Sequence, residues 1–136
     1  MAIERSLLAR LRKTCLALPG TRETVSWGHP TFKAGGKTFC VLERYQGHLT
    51  ICFKLSPGDA VAALRDAARF RKTPYIGDKG WVSLIVDEPP DWRVVTELAL
   101  KSFCEVAPDA VRARLVEGPP RASRPARRPA RGRRPR

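Results

Sequence analysis

The most conspicuous chemistry in the sequence is cationic. From position 121 the chain reads RASRPARRPARGRRPR, with Arg121, Arg124, Arg127, Arg128, Arg131, Arg133, Arg134 and Arg136 and no acid or lysine. Guanidinium groups at this density suit phosphate, because each phosphate they neutralise releases condensed counterions. Arg131-Gly132-Arg133-Arg134-Pro135 comes close to the Arg-Gly-Arg-Pro core with which an AT-hook enters a narrow A·T minor groove, but an extra arginine precedes the proline. A solvated tail that only aids solubility would have the same composition.

A second cationic set sits at turns. Lys33 and Lys37 flank Gly35-Gly36, and Arg44 and His48 flank Gln46-Gly47. Arg69, Arg71, Lys72 and Lys79 surround the Pro74–Gly80 connection, which also holds Tyr75 and ends at Trp81. Bases with aromatics on hairpin tips suit phosphate contact and base stacking. The plainer reading is that loops carry charge because they face water, and that Trp81 packs in the core. Trp27, His29, Tyr75 and Trp81 define a different candidate, the lining of a concave ligand pocket.

Catalytic chemistry has few candidates. His29 and His48 are the only histidines, so a three-histidine metal site is excluded and a nucleophile–histidine pair has little to draw on. No GxSxG, Walker A, HExxH or GxGxxG motif occurs. The expectation is a protein that is not an enzyme and has no metal or other cofactor. Cysteines 15, 40, 52 and 104 lie too far apart for a CxxC motif and have apolar neighbours, which reads as small buried hydrophobes in a reducing cytoplasm.

The elements that must position these residues fill positions 1–117. The chain has 136 residues, 26 Lys+Arg and 13 Asp+Glu, for a net charge of +13. Every acid lies at or before Glu117, and residues 118–136 hold eight arginines. Removing those eight leaves 18 basic against 13 acidic residues, so a domain of net +5 carries a +8 tail. Such a tail favours a polyanionic partner, with nucleic acid ahead of an anionic membrane. No stretch reaches the roughly 18 apolar residues of a membrane span, and Arg10, Arg12 and Lys13 interrupt any signal-peptide core.

Apolar spacing predicts an amphipathic helix over Ile3–Leu18, stopped by Pro19-Gly20. A short extended piece, Thr24–Trp27, precedes strands over Thr31–Ala34, Lys37–Tyr45 and His48–Leu55, joined by turns at Gly35-Gly36 and Gln46-Gly47. A turn centred on Gln46-Gly47 pairs Tyr45 with His48, Leu42 with Ile51 and Cys40 with Phe53. It also puts Cys40 and Cys52 on opposite faces, against a disulfide between them. Ser56-Pro57 opens a helix over Asp59–Phe70. Arg71–Gly80 reads as a polar connection and Trp81–Asp87 as a central strand. Helices follow over Trp92–Val106 and Ala110–Val116. From Pro119 no large apolar residue remains, which predicts disorder for 118–136. The order gives an α+β domain: a small, mainly antiparallel sheet with hairpin wings, packed against helices.

Six stretches together resemble one family. They are LPGTRE (Leu18–Glu23), WGHPTFK (Trp27–Lys33), GGKTF (Gly35–Phe39), FKLSP (Phe53–Pro57), PYIGDKGWVSL (Pro74–Leu84) and the DW…S stretch from Asp91 to Ser102. Their order and spacing are similar to the MmcQ/YjbR family of small bacterial proteins. The resemblance spans roughly residues 3–116 and leaves out the arginine-rich tail. It implies a frataxin (CyaY)-like, double-wing fold and DNA binding. Frataxins are similar in fold but bind iron on an acidic first helix. Here that helix holds only Glu4 against Arg5, Arg10, Arg12 and Lys13, which opposes an iron role.

Two functions are therefore expected to compete. One is a non-enzymatic, cytoplasmic or nucleoid-associated DNA-binding protein of low sequence specificity, contacting phosphates through its wings and tail. The other is a small-ligand or protein-interaction module with an incidental basic tail.

Overall fold

Three two-residue turns organise the first half of the sheet. Trp27-Gly28, Gly35-Gly36 and Gln46-Gly47 each place two successive residues at positive φ (54° and 80°, 56° and 88°, 51° and 83°). That pattern matches the right-handed twist of antiparallel strands, so each turn closes a tight hairpin. The hairpins join β1 (Thr21–Ser26), β2 (His29–Ala34), β3 (Lys37–Tyr45) and β4 (His48–Lys54) into a meander. The computed structural model describes residues 2–117; the eight tail arginines, and the expectation of disorder there, lie outside the described residues.

The second half inserts a strand. β6 (Trp81–Ile85) pairs with β4, and β5 (Phe70–Lys72) pairs with the outer side of β6. The result is a six-stranded antiparallel sheet in the order β1-β2-β3-β4-β6-β5. The helices are α1 (Ala2–Leu16), α2 (Pro57–Leu64), α3 (Trp92–Val106) and α4 (Asp109–Glu117). Sheet residues Phe32, Cys40, Leu42, Ile51, Phe53, Val82 and Leu84 form one core with Leu7 and Leu11 of α1 and Val95, Leu98 and Phe103 of α3. No helix among the described residues is long and apolar enough to cross a membrane.

A bulge sets the faces of the sheet. Phe32 pairs with Cys40 but Lys33 pairs with Thr38, so Phe39 is the extra residue of β3. Phe39 and Cys40 are both fully buried, and Phe39 meets Phe103 edge-on at 5.8 Å. A bulge places two neighbouring side chains on one side and restarts the alternation beyond them. Thr38 and Val41 therefore stand on the face away from the core.

The α+β class, the antiparallel sheet and the predicted β3–β4 register (Tyr45 with His48, Leu42 with Ile51, Cys40 with Phe53) are as expected. Three elements differ. The extended piece is the full strand β1, because Trp27-Gly28 is a hairpin turn rather than a continuation. The second helix ends at Leu64 instead of Phe70, and part of the expected polar connection is β5, whose Phe70 fills the core beside Leu84. All four cysteines are free; Cys15, Cys40 and Cys52 are buried, but Cys104 is exposed on α3 rather than buried as expected.

Candidate nucleic-acid interface

The sheet face opposite the core carries a row of small and polar side chains. Pairing aligns Thr24, Thr31, Val41, Cys52, Ser83 and Arg71 across the six strands. Over this floor lies a groove of about 670 Å³. The β1–β2 tip supplies Trp27 and His29 to one side, and the loop after β5 supplies Pro74, Tyr75 and Ile76 to the other. Tyr45, Trp81 and Glu43 complete the wall, and Glu43 is the one charged carboxylate among the lining residues.

Part of the floor is a polar network, while Thr24 Oγ1 at its β1 edge is buried without a hydrogen-bond partner among the described residues. Ser83 Oγ lies 2.9 Å from Thr73 Oγ1 and 3.3 Å from Cys52 Sγ, and Thr50 Oγ1 donates to the Glu43 carbonyl at 3.0 Å. Burial pushes the Cys52 thiol up to about 11, so it is a neutral thiol near neutral pH and not a nucleophile. Among the described residues no cluster of three His, Cys, Asp or Glu is arranged to hold a metal ion.

Trp27, His29, Tyr75 and Trp81, singled out in the sequence as pocket residues, line this one groove. Trp81 is on the open face and half-buried, not in the core, because it pairs with Lys54 two residues from Ser83 and so shares that residue's side of the sheet. Sequence reading missed Thr31, Val41, Glu43, Tyr45 and Cys52. The available signal was the hairpin register: if Leu42 and Ile51 face the core, Val41, Glu43 and Cys52 face away from it.

The predicted cations divide between two faces. Lys33, two residues from Thr31, lies on the groove side beside Arg22. Arg71 ends the floor at the β5 edge. Lys79 immediately precedes Gly80, and a Cβ on Gly80 would sit 3.8 Å from Lys54 Nζ. Arg22, Lys33, Lys54 and Arg71 thus share the groove's face of the sheet, Lys79 lies on the loop between Tyr75 and Trp81, and none of the five makes an ion pair with another described residue. Arg22 and Lys54 were not predicted; like the floor, they become visible only with the register.

The other predicted cations stand apart. Lys37 pairs with buried Ala34 and so points to the core side. Arg44 also faces that side and bridges to Glu4 of α1 at 3.0 Å. Lys72 bridges to Asp78 at 2.7 Å. His48 Nδ1 lies 2.6 Å from Asp87 Oδ2, and the Leu49 N–H donates to Asp87 Oδ1 at 2.8 Å. These two contacts, His48 first, hold the Asp87 carboxyl below its usual value. The two turns read as wings lie at opposite ends of β3, whose nine residues at about 3.3 Å each span roughly 30 Å. Gly35 is also packed on Pro108, with its Cβ position 2.7 Å from that ring. The two tips that share an end are Trp27-Gly28 and Gln46-Gly47.

Comparison with known proteins agrees with this architecture. A crystal structure of a Deinococcus radiodurans protein with a DUF419 domain superposes with a TM-score of 0.65 at 23% identity, covering 80% of this chain and 87% of that one. At that identity the likeness is one of fold. No curated protein matches the chain. The YjbR family model matches residues 16–105, from the end of α1 to the last turn of α3 and hence the whole sheet and its groove. The chain belongs to the YjbR family.

Proposed function

We propose that this chain is a non-enzymatic nucleic-acid-binding protein of low sequence specificity, with DNA as its first partner in a bacterial cytoplasm. One observation carries the reading: five cations without an ion-pair partner among the described residues lie on the face and the loop of a groove walled by aromatic side chains. Cations left unpaired on a folded surface are available to phosphate, and aromatic faces are available to bases. The eight tail arginines add attraction that needs no defined geometry.

The test is a salt series. Binding of a labelled oligonucleotide by the full chain should weaken steeply as salt rises, with a linear log–log slope. A 1–117 form should keep a shallower slope. If the tail makes about five phosphate contacts, its removal flattens the slope by about 4–5. Affinity that is absent at low salt, or indifferent to salt, overturns the reading. The groove volume favours a second reading, a small planar ligand, since cavities of this size hold such molecules. That reading predicts saturable small-molecule binding that tail removal leaves unchanged.

A further inference from the structure

Trp27 and Tyr75 are 97% and 96% exposed, so neither aromatic ring contributes to the core. Both also hold φ in the left-handed region, at 54° and 69°. A bulky residue there is strained by its own Cβ, whereas asparagine or glycine is not. Folding alone gives no reason for aromatics at these two positions. Exposed, strained residues that stability does not explain point to a ligand. They line one groove, Trp27 from the β1–β2 tip and Tyr75 from the loop after β5, together with half-buried Trp81.

The charge is arranged from inside to outside. Glu43 is the only acidic side chain lining the groove; Arg22, Lys33, Lys54 and Arg71 lie on the same face of the sheet, and Lys79 on the loop between Tyr75 and Trp81. A phosphate is repelled from the interior and attracted to these cations. A base is favoured inside, where a carboxylate can accept from an exocyclic amino group. A duplex presents its phosphates outward and stacks its bases away from such rings; a single strand can turn its bases into them.

We infer that the groove takes unpaired bases, with Trp27 and Tyr75 as stacking platforms, so that the preferred partner is single-stranded nucleic acid. This rests on the nucleic-acid reading above. The experiment titrates the full chain with a 12-mer dC strand, the same length of abasic strand and a 12-bp duplex, by fluorescence anisotropy at fixed salt. The dC strand should bind about 10-fold or more tightly than the abasic strand, the effect of stacking one or two bases. Trp27→Asn and Tyr75→Asn keep a residue suited to positive φ, so both variants should melt no lower than the parent. Each should weaken dC binding by about 10-fold and leave the abasic strand unaffected. Equal binding of dC and abasic strands, or dC binding untouched by both substitutions, overturns the inference while leaving a basic DNA-binding protein. No binding to any of the three at low salt overturns the functional reading itself.

Discussion

Ser102 shows how one residue can hold the groove's scaffold. It is fully buried on α3, where its Oγ donates to the Phe39 carbonyl at 2.6 Å and accepts from the Lys54 N–H at 2.8 Å. Both partners lie one residue beyond the last β3–β4 pair, Cys40 with Phe53, so the serine bonds backbone groups that this ladder leaves open. Ser102→Ala strands the buried Phe39 carbonyl and the half-buried Lys54 N–H and should cost about 2–4 kcal/mol, read as a lower denaturant midpoint. A change below about 0.5 kcal/mol would show that water or another partner takes over. Thiol reactivity is decided equally locally. Burial raises Cys40 and Cys52 well above the ordinary thiol range, and only Cys104 is exposed. A disulfide-exchange reagent near pH 8 should therefore label one thiol of the native protein promptly and the other three only after denaturation. Prompt labelling of two or more would contradict the burial.

At the scale of elements, Gly80 joins the loop that carries Tyr75 to the strand that carries Trp81. Its φ is 96°, its carbonyl accepts from the Leu55 N–H at 2.9 Å, and a Cβ there would lie 2.5 Å from the Leu55 carbonyl oxygen. Backbone cannot swing aside as a side chain can. Gly80→Ala should destabilise by about 2–3 kcal/mol and should lower oligonucleotide affinity as well, because Lys54 and Trp81 move with it; wild-type stability would show that the loop is free to shift. The elements differ in how legible they are. Strands β3 and β4 are plain in the sequence because the Gln46-Gly47 turn fixes their register, and helix α3 because helical spacing runs through it without interruption. β5 is three residues long, Phe-Arg-Lys, and only Phe70 enters the core, so no period can announce it. β1 is concealed because its turn is built on Trp-Gly, and tryptophan is not a residue that signals positive φ. The groove was half legible: its conspicuous aromatics could be named, but its floor and its unpaired cations depend on a register running across all six strands.

At the scale of the whole molecule, charge pairs surround the core without entering it. Hydrogen bonds from Arg12, Arg69, Lys72, His48 and Arg93 lower Glu23, Asp66, Asp78, Asp87 and Asp91 respectively from ordinary values of 4.5 for the glutamate and 3.8 for the aspartates. A carboxylate with a depressed folded value binds its proton first in the unfolded chain. The stability these pairs add is thus complete above about pH 5 and is lost as pH falls through their lowered folded values. The melting temperature should be level from pH 7 to 5 and fall between pH 4 and 3, by less in high salt, since all five carboxylates are near solvent. A level profile down to pH 3 would contradict the pairing. Strand order has a consequence for the chain as it leaves the ribosome. The meander β1–β4 needs only neighbouring turns, but β4 reaches its second partner, β6, only after α2 and β5 have been made. Until then β4 presents an unpaired edge with five consecutive residues destined for burial, Leu49–Phe53. A nascent chain halted before Trp81 should therefore be sticky, and translation through Trp81–Ile85 is the step that ends its exposure to self-association.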